Sequence, residues 1–483
     1  MADYTKIYCI EENVRDKIAL IDDQGYCMTY SELDRIVNEI AGVCVSSTLV
    51  MMLCKNSVAA VAGYVGFVSN GIVPLMTSYY VSDESINNII KVYKPRYLYV
   101  PVEKKNEYDS YQMIWKIQGY CVLQSVNWVD YEIHPELEVL LSTSGSTGSP
   151  KYVRMGRNAF QISVSEVTRY CEYCGNERFI TLSPVSYMLG LHRIRCHLYM
   201  GNTILLTDKK VMEKEFWDFY DENQATSFAA VPYVFEMLDR MKFFDDSSNG
   251  MYRMTVAGGK ISDELRLKIC QYAKKNNVIF EMMYGTTEVC CDNGLVCYPK
   301  EDIDIGENCI GKPLSTMQWN VLNAEKENID LEYEEGELCI QSKCCMLGYA
   351  ENYADLSKGD EVHGVYSTGD IVYKGSNGYY YFVARNKRIE KIFGNRVSLD
   401  EIEKIVKEYL CTNDCVCIGR ENHITVLVLP PYYEKKREIL KRLVAGTGMV
   451  GSVFEIDIIE EIPRSSGGKV LYGEIEKMRE DTL

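Results

Sequence analysis

The sequence predicts a large α/β body followed by a small α+β domain. Two observations support this fold class. Through about residue 380, short apolar runs rich in β-branched residues alternate with amphipathic stretches, a pattern typical of mostly parallel sheets covered by helices. After residue 384 a charged crossover leads into shorter elements, over a segment long enough to fold as an independent domain. The length of 483 residues agrees with two to four structural units.

Within the body, two apolar runs predict buried strands and two amphipathic stretches predict helices. The strands are predicted at 97–102 and 202–207, and the helices at 213–224 and 263–275. The last of these helices has Leu265, Ile269 and Tyr272 on one face, which is therefore expected to be buried.

In the small domain, Ser398 is followed three residues later by Glu401, which is the spacing of a capping box and predicts that a helix begins there. Further strands and one helix are then expected before a terminal loop. The strands are predicted at 416–420, 424–430 and 454–459, the helix at about 433–444, and the loop from residue 462.

Composition excludes several classes of protein. The chain has 69 Asp and Glu against 52 Lys and Arg, a net charge of −17, which disfavours binding to the phosphate backbone of nucleic acids. Its apolar runs are interrupted before the roughly 20 residues that a membrane-spanning helix needs. The spacing of the 19 cysteines does not match a zinc site, and the N-terminal residues do not resemble a signal peptide. We therefore expect incidental thiols in a cytoplasmic protein.

A loop rich in serine, threonine and glycine follows a predicted strand and ends in Pro150 and Lys151. Small residues let backbone N–H groups approach an anion, hydroxyls add donors and the lysine adds charge, so the loop predicts phosphate binding. The alternative is a flexible linker, which would need neither the preceding strand nor the closing lysine. The residues assigned to this loop are Thr143, Ser144, Gly145, Ser146, Thr147, Gly148 and Lys151.

Together with seven further motifs in order, this loop resembles the phosphate loop of the adenylate-forming superfamily, which includes acyl-coenzyme A synthetases, peptide-synthetase adenylation domains and luciferase. The other motifs are at 28–42, 256–262, 283–288, 336–350, 366–371, 384–403 and 462–469. The resemblance implies a core domain over 1–384, a hinge at 385–387 and a mobile domain over 388–483. It also implies an active site in the cleft between the two domains.

The resemblance assigns roles to single residues. It implies that Thr287 binds the α-phosphate of ATP, that Glu288 holds Mg²⁺, and that Lys469 is a mobile catalytic lysine. Asp370 and Arg385 would bind the ribose or phosphates. The remaining residues expected to surround the nucleotide are Gly258, Gly259, Lys260, Met283, Tyr284, Gly285 and Thr286.

Two further groups of residues follow from the same resemblance. Lys387 occupies the hinge and Gly394 would line the channel for a thiol. The substrate pocket is expected to include Tyr187, Gly190, Val231 and Pro232. Amino-acid-activating relatives usually place an aspartate near Tyr187, and the segment 184–188 has none. The motif is closer to that of acyl and aryl acid ligases.

The implied activity is ATP-dependent activation of a carboxylic acid as an acyl-adenylate, followed by transfer to a thiol. The thiol would be coenzyme A or the phosphopantetheine arm of a free-standing acyl or peptidyl carrier protein. Two alternatives stay open: a stand-alone amino-acid adenylating enzyme that loads a carrier protein, and a nucleotide-binding regulator without turnover. The net charge of −17 should repel an acidic carrier protein unless a local basic patch is present.

Overall fold

The structure is a computed structural model of the chain. It describes every residue outside a set of short segments. Those segments are residues 1–6, 10, 143–150, 246–249, 291–292, 302–305, 307, 330, 386–387, 393–394, 421–422, 448, 466–467 and 481–483.

Twelve α-helices are found among the described residues. They are α1 (Tyr30–Val43), α2 (Val58–Ser69), α3 (Asp83–Tyr93), α4 (Arg157–Tyr170), α5 (Met188–Tyr199), α6 (Lys214–Glu222), α7 (Pro232–Arg240), α8 (Asp263–Asn276), α9 (Leu399–Leu410), α10 (Pro430–Tyr433), α11 (Lys436–Thr447) and α12 (Tyr472–Glu480).

The described part of the chain also contains 26 strands. They are β1 (Ile18–Asp22), β2 (Cys27–Thr29), β3 (Leu49–Cys54), β4 (Val73–Ser78), β5 (Tyr97–Pro101), β6 (Tyr111–Ile117), β7 (Tyr120–Ser125), β8 (Leu137–Ser142), β9 (Tyr152–Gly156), β10 (Arg178–Thr181), β11 (Thr203–Leu206), β12 (Ser227–Ala230), β13 (Arg253–Ala257), β14 (Ile279–Tyr284), β15 (Gly294–Tyr298), β16 (Cys309–Pro313), β17 (Met317–Leu322), β18 (Gly336–Ser342), β19 (Gly348–Ala350), β20 (Val365–Lys374), β21 (Tyr380–Arg385), β22 (Ile389–Ile392), β23 (Asn395–Ser398), β24 (Cys415–Arg420), β25 (His423–Val428) and β26 (Phe454–Ile458).

The chain divides into two compact units. The first contains residues 1–319 and 340–366, and the second contains residues 320–339 and 367–483. This division differs from the predicted one, because two segments before residue 384 group with the C-terminal part. The predicted boundaries at 384 and 388 therefore stay a prediction.

Two sheets form the centre of the first unit. In one, the strands β14, β13, β12, β10, β11 and β1 are consecutive parallel neighbours, and β15 and β2 flank them in antiparallel pairing. In the other, β8, β4, β3 and β5 are parallel neighbours in the middle of eight strands. The parallel strands are short and almost wholly apolar, as expected for sheets that are buried on both faces.

Helix α2 packs against strands of both sheets, with contacts to β3 and β4 of one and β1 of the other. Its residues from Val58 to Val68 are all buried, so the helix has no polar face. Two glycines allow this close packing. A Cβ on Gly63 would lie 2.3 Å from the ring of Tyr99, and one on Gly66 would lie 2.3 Å from Ile40.

The C-terminal part of the second unit is built on a three-stranded sheet in the order β24, β25, β26. Helices α9 and α11 cover one face, where Ile402, Val406, Ile439 and Leu443 are buried. On the other face, α12 packs with Ile462 and Val470 in a second apolar cluster that includes Ile475.

The predicted fold class is confirmed, since the molecule is a mixed α/β protein, and each of its two large sheets has a run of parallel strands flanked by antiparallel strands. Leu265, Ile269 and Tyr272 are buried along α8, as predicted. The Oγ of Ser398 accepts a hydrogen bond from the backbone N–H of Glu401, and α9 begins there.

The predicted helix at about 433–444 is wrong in its start. Residues Pro430–Tyr433 form the separate short helix α10, and α11 begins only at Lys436. Proline at the first helical position favours such a new start, which the apolar periodicity did not reveal.

None of the helices in the described ranges is long and apolar enough to cross a membrane.

Candidate active site

Four predicted site segments lie at the same edge of the first sheet. They follow β10, β12, β13 and β14, which are adjacent and parallel, so that their carboxyl ends face the same way. The segments carry Tyr187, then Val231 and Pro232, then Gly258 to Lys260, and finally Tyr284 to Glu288. Ligands of open α/β sheets bind outside the carboxyl ends of the strands, so this edge is the candidate site.

The segment after β10 is held by an asparagine from the other sheet. Asn56 lies just after β3 and is 7 % exposed. Its Oδ1 accepts from the N–H of Val185 at 2.9 Å, and its Nδ2 donates to the carbonyl oxygens of Ser183 at 3.5 Å and Thr207 at 3.0 Å. Asn56 therefore positions residues 183–187, which end at Tyr187. Sequence analysis missed it.

Gly190 closes the same segment against α5. A Cβ at this position would lie 2.3 Å from the carbonyl oxygen of Pro184 and 2.8 Å from that of Ser183. Only glycine permits this approach of helix and loop. Gly190 therefore lies against the segment that ends at Tyr187, and its place in a substrate pocket stays a prediction.

The turn after β13 lies close to the start of α7. Gly258 has a φ of +81°, a left-handed conformation that favours glycine. A Cβ on Gly259 would lie 3.4 Å from the ring carbons of Pro232. The structure thus brings Val231 and Pro232, predicted for the acid, next to the turn predicted for the adenine. Lys260 follows the turn and is exposed.

The segment after β14 is fixed by Asn293, which is fully buried. Its Oδ1 accepts from the N–H of Thr286 at 3.0 Å and its Nδ2 donates to the carbonyl of Val289 at 2.7 Å. The Oγ1 of Thr286 is buried and has no hydrogen-bond partner in the described structure. A buried hydroxyl without a partner is costly, so this atom fits the oxygens of a polar ligand.

Met283 and Tyr284 end β14, and Gly285 follows. The ring of Tyr284 is half-buried and packs edge to face against Trp319, with ring centroids 5.7 Å apart. The side chain of Met283 is buried and its Sδ lies 2.8 Å from a guanidinium nitrogen of Arg193. These contacts position the tyrosine face at the end of the strand, where a base can stack on it.

Tyr349 contacts both Glu288 and Lys151. The hydroxyl of Tyr349 donates to the Glu288 carboxylate at 2.9 Å, and the Nζ of Lys151 lies 3.9 Å from the centre of the Tyr349 ring. Burial, and then the nearby Glu288 carboxylate, raise the pKa of Tyr349 to about 12, so its hydroxyl stays a donor. A carboxylate oriented in this way fits Mg²⁺, which prefers hard oxygen ligands.

Tyr349 is placed by β19, which pairs with β9. The buried Arg154 on β9 donates to the carbonyl oxygens of Tyr349 and Leu347 and forms an ion pair with Glu361. Sequence analysis included Tyr349 in a motif without giving it a role. Its contact with Glu288 links residues 61 positions apart, and no local pattern reveals such a contact.

In the second unit, Asp370 and Arg385 face each other on neighbouring strands. They are register partners in the antiparallel pair of β20 and β21. The Nε of Arg385 donates to Oδ1 of Asp370 at 2.9 Å, with the Asp370 side chain 1 % exposed and that of Arg385 63 % exposed. Both residues predicted for the nucleotide are thus together, with the carboxylate held by the guanidinium.

Lys469 is exposed in the segment that precedes α12. Its backbone N–H donates to the Oγ of Ser465 at 3.2 Å, and its carbonyl accepts from the N–H of Ser465 at 2.7 Å. An isolated β-bridge between Arg464 and Val470 closes the loop around it. The backbone of this lysine is therefore fixed while its side chain reaches solvent.

Tyr472, three residues after Lys469, is anchored to α9. Its hydroxyl donates to both carboxylate oxygens of Glu403, at 3.1 and 3.2 Å. Glu403 also accepts from Arg388, Lys407 and the backbone N–H of Cys417. Burial, and then the Glu403 carboxylate, raise the pKa of Tyr472, which keeps the hydroxyl protonated.

Some predicted site residues lie outside the described part of the chain. They are Thr143, Ser144, Gly145, Ser146, Thr147 and Gly148 of the predicted phosphate loop, Lys387 of the predicted hinge, and Gly394 of the predicted thiol channel. The flanking strands β8 and β9 are described and pair in antiparallel fashion.

One buried cluster has metal-ligating side chains. The thiols of Cys171 and Cys297 and a carboxylate oxygen of Glu281 lie within 4.8 Å of one another. However, Glu281 already accepts from the guanidinium of Arg253 and from the hydroxyl of Thr255 at 2.6 Å. Burial also raises the pKa of Cys171 well above its usual value, which opposes the thiolate form that binds metals. We assign no metal to this cluster.

The site edge and the fold together define a nucleotide-binding α/β enzyme. The chain belongs to the family described as AMP-binding enzyme, whose sequence pattern matches residues 10–350.

Among curated relatives, the chain is 23% identical over 374 residues to an acyl-CoA synthetase short-chain family member of Dictyostelium discoideum, covering 70% of this chain and 52% of the relative. It is 28% identical over 274 residues to an L-proline–[L-prolyl-carrier protein] ligase of Pseudomonas fluorescens, covering 56% of this chain and 52% of the relative. The chain thus spans about half the length of these two relatives.

Among solved structures, an anthranilate CoA ligase in complex with anthranoyl-AMP has the same fold. The TM-score is 0.78 with 17% sequence identity, covering 97% of this chain and 95% of that chain.

Proposed function

We propose that the protein is an ATP-dependent carboxylate-activating ligase that forms an acyl-adenylate and passes the acyl group to a thiol. The observation that carries this proposal is the convergence of four motif segments at one edge of the first sheet. Membership in the AMP-binding enzyme family supports the nucleotide as their ligand.

In the first half-reaction, the carboxylate of the acid attacks the α-phosphorus of ATP and pyrophosphate leaves. Tyr284 offers its face to the adenine, and the Gly258–Gly259 turn lets the backbone approach the base. Thr287 donates to the α-phosphate and Lys151 adds positive charge near the phosphates. When bound at Glu288, Mg²⁺ neutralises charge that develops on the phosphoryl oxygens.

No side chain has to act as a nucleophile in this scheme, so catalysis rests on positioning and electrostatic stabilisation. Lys469 is proposed to add positive charge during adenylation. Asp370 and Arg385 are proposed to bind the ribose and phosphates. These roles rest on the resemblance to the adenylate-forming superfamily. So do the hinge at 385–387, the mobility of residues 388–483 and the placement of the active site between the two domains.

The acid is proposed to be an acyl or aryl acid without an ammonium group. It would lie beside Tyr187, Val231 and Pro232. The segment 184–188 has no carboxylate that could pair with an ammonium, and an unpaired charge in a partly buried pocket is unfavourable.

The acceptor is proposed to be a thiol of coenzyme A or of a carrier protein, which enters past Gly394. The names of the two curated relatives support one acceptor each. Cytoplasmic location is proposed as well, because the described cysteines are free thiols, as expected in a reducing compartment.

The direct test is ATP–pyrophosphate exchange with a panel of short-chain, fatty, aryl and amino acids. We expect exchange with at least one acid that lacks an ammonium group, and product mass spectrometry should show the matching acyl-AMP. Exchange only with free amino acids, and not with their deaminated analogues, would instead identify an amino-acid adenylating enzyme. Nucleotide binding without exchange across the panel would identify a regulator.

A further inference from the structure

Helix α11 and the residue before it carry five exposed cations, which we call the basic ridge. They are Lys435, Lys436, Arg437, Lys441 and Arg442. Among the described residues, no carboxylate forms an ion pair with any of the five. The ammonium of Lys436 contacts the hydroxyl and ring of Tyr433, and the guanidinium of Arg442 lies 5.4 Å from the ring of Tyr409. The five cations thus lie close together in the chain, and no ion pair of the described structure neutralises them.

This concentration is unusual for the chain. Residues 1–387 contain 37 Lys and Arg against 52 Asp and Glu, whereas residues 434–442 contain five basic and two acidic side chains. Elsewhere, many exposed cations pair with neighbouring acids, as Lys214 does with Asp218 and Lys268 does with Asp239 and Asp245. The ridge is therefore a local reversal of the charge of the molecule.

The ridge also opposes local helix stability. Lys435, Lys436 and Arg437 lie at the start of α11, where the helix macrodipole favours negative charge. Residues that weaken their own helix without a compensating contact are expected at functional positions. Packing does not require cations at these three positions, since all three side chains are exposed and acidic residues would fit there equally well.

Next to the cations lies a small exposed apolar area. Val444 on α11 is 36% exposed and Val450 after the helix is 63% exposed. A Cβ on Gly451 would lie 3.6 Å from Val444, so the residue that follows Val450 lies close to the end of the helix. Apolar contacts beside charged groups are typical of protein interfaces.

The ridge lies on the face of the small sheet away from Lys469. Ile439 and Leu443 of α11 pack on one face, with α9. The segment that carries Lys469 packs on the other face, through Ile462, Val470 and Tyr472. A partner bound to the ridge would therefore leave the loop of the catalytic lysine uncovered.

We propose that the basic ridge of α11 is the docking surface for an acidic protein that carries the acceptor thiol on a phosphopantetheine arm. This inference rests on the proposed thiol transfer and names the acceptor for it. Charge complementarity selects an acidic partner and raises its rate of encounter. Glu434 and Glu438 interrupt the cations, which suits a specific protein surface better than a uniformly anionic membrane.

The apolar residues of α11 also argue against a membrane. Ile439 and Leu443 are buried against the sheet, so the main apolar face of the helix is not available to insert into lipid. A second copy of this chain is the other acidic candidate, since residues 1–387 have a large acidic excess. The experiment below separates these partners.

The test compares transfer to two thiols in one enzyme. The substitutions Lys435→Glu, Lys436→Glu and Arg437→Glu are combined in a ridge variant. The control variant combines Lys116→Glu, Lys210→Glu and Lys242→Glu, three exposed lysines of the first unit with the same total change in charge. Each protein is assayed for ATP–pyrophosphate exchange with its acid, for transfer to coenzyme A, and for loading of an acidic acyl carrier protein that bears phosphopantetheine.

For carrier loading, we expect kcat/KM to fall about 10-fold to 100-fold in the ridge variant and to change less than about 2-fold in the control variant. Exchange and transfer to coenzyme A should be unchanged in both. Loading by the unmodified enzyme should also weaken as salt is raised from low to physiological concentration.

Several results would overturn the proposal. The proposal is wrong if the unmodified enzyme transfers the acyl group to coenzyme A and not to the carrier, or if the ridge variant loads the carrier as well as the control variant does. A dimer that the ridge variant disrupts would identify a second copy as the partner, and ridge-dependent co-sedimentation with phosphatidylserine vesicles would identify a membrane. Loss of exchange in the unmodified enzyme contradicts the proposed function itself, not the ridge.

Discussion

The two units hold their predicted site residues in different ways. In the first unit, buried asparagines fix the segments that carry Tyr187 and Thr286, and Tyr349 orients Glu288. In the second unit, the exposed Lys469 lies in a loop where its backbone N–H and carbonyl form hydrogen bonds with Ser465. Preorganised groups suit the binding of a nucleotide, whereas an exposed lysine suits a group that acts in only one step. The difference agrees with the proposed roles, a nucleotide-binding edge in the first unit and a catalytic lysine in the second.

Removing the lysine should have the largest effect on activity. We expect Lys469→Ala to lower the rate of ATP–pyrophosphate exchange about 100-fold or more, because a charge that stabilises the developing phosphoryl negative charge is lost. The melting temperature should hardly change, since the side chain is exposed. Lys477→Ala, at an exposed lysine of α12, is the control. If exchange survives in Lys469→Ala, Lys469 is not the catalytic lysine.

A smaller effect is expected at Asn56, which tests the fixed edge. Asn56→Ala removes three hydrogen bonds to residues 183, 185 and 207, so the KM for the acid should rise about 10-fold while the KM for ATP changes little. Stability should fall by about 1–3 kcal/mol, because buried polar groups lose their partners. Steady-state exchange kinetics and urea unfolding measure the two effects.

Asn70 provides a matched control for Asn56. Its Nδ2 donates to the carbonyl oxygens of Val37 and Gly66, both at 2.8 Å, at the end of α2. Asn70→Ala should lower stability without raising the KM for the acid. Equal KM values in both variants would show that residues 183–187 do not position the acid.

The smallest effect is expected at Tyr349. Tyr349→Phe removes the hydrogen bond to Glu288 but keeps the ring beneath Lys151. The Mg²⁺ concentration for half-maximal exchange should rise about 3-fold to 10-fold, because the carboxylate is no longer oriented. The change is measured by titrating Mg²⁺ at saturating ATP and acid.

Tyr170 offers the same arrangement away from the site. Its hydroxyl donates to Glu301 at 2.9 Å, and Lys300 lies 4.4 Å from its ring centre. Tyr170→Phe should leave the Mg²⁺ dependence unchanged. A similar shift in both variants would mean that Tyr349 acts through stability, not through Glu288.

Sequence patterns predicted the four segments that meet at the edge of the first sheet, but not the contacts that hold them. The turn after β13 needs a left-handed residue at Gly258 and a close approach to Pro232 at Gly259. Glycine meets both requirements, so the sequence shows where this turn lies. Asn56 could not be found in this way, because it contacts Val185 from 129 positions away. Such contacts depend on how two sheets pack, which periodicity does not determine.

The small domain shows the same limit. The cap at Ser398 was predicted because it depends on residues only three positions apart. The start of α11 was not, because Pro430 begins its own short helix before it. The basic ridge was likewise beyond prediction, since its exposure depends on which side of α11 packs on the sheet.

The buried carboxylate of Glu403 has a mechanical consequence. It joins Arg388, which follows the predicted hinge, to Lys407 of α9 and to Tyr472, three residues after Lys469. Breaking a buried, multiply paired carboxylate is strongly unfavourable, so these elements resist separation. We therefore expect a displacement of Arg388 to move α9 and the loop of Lys469 with it, as one rigid group.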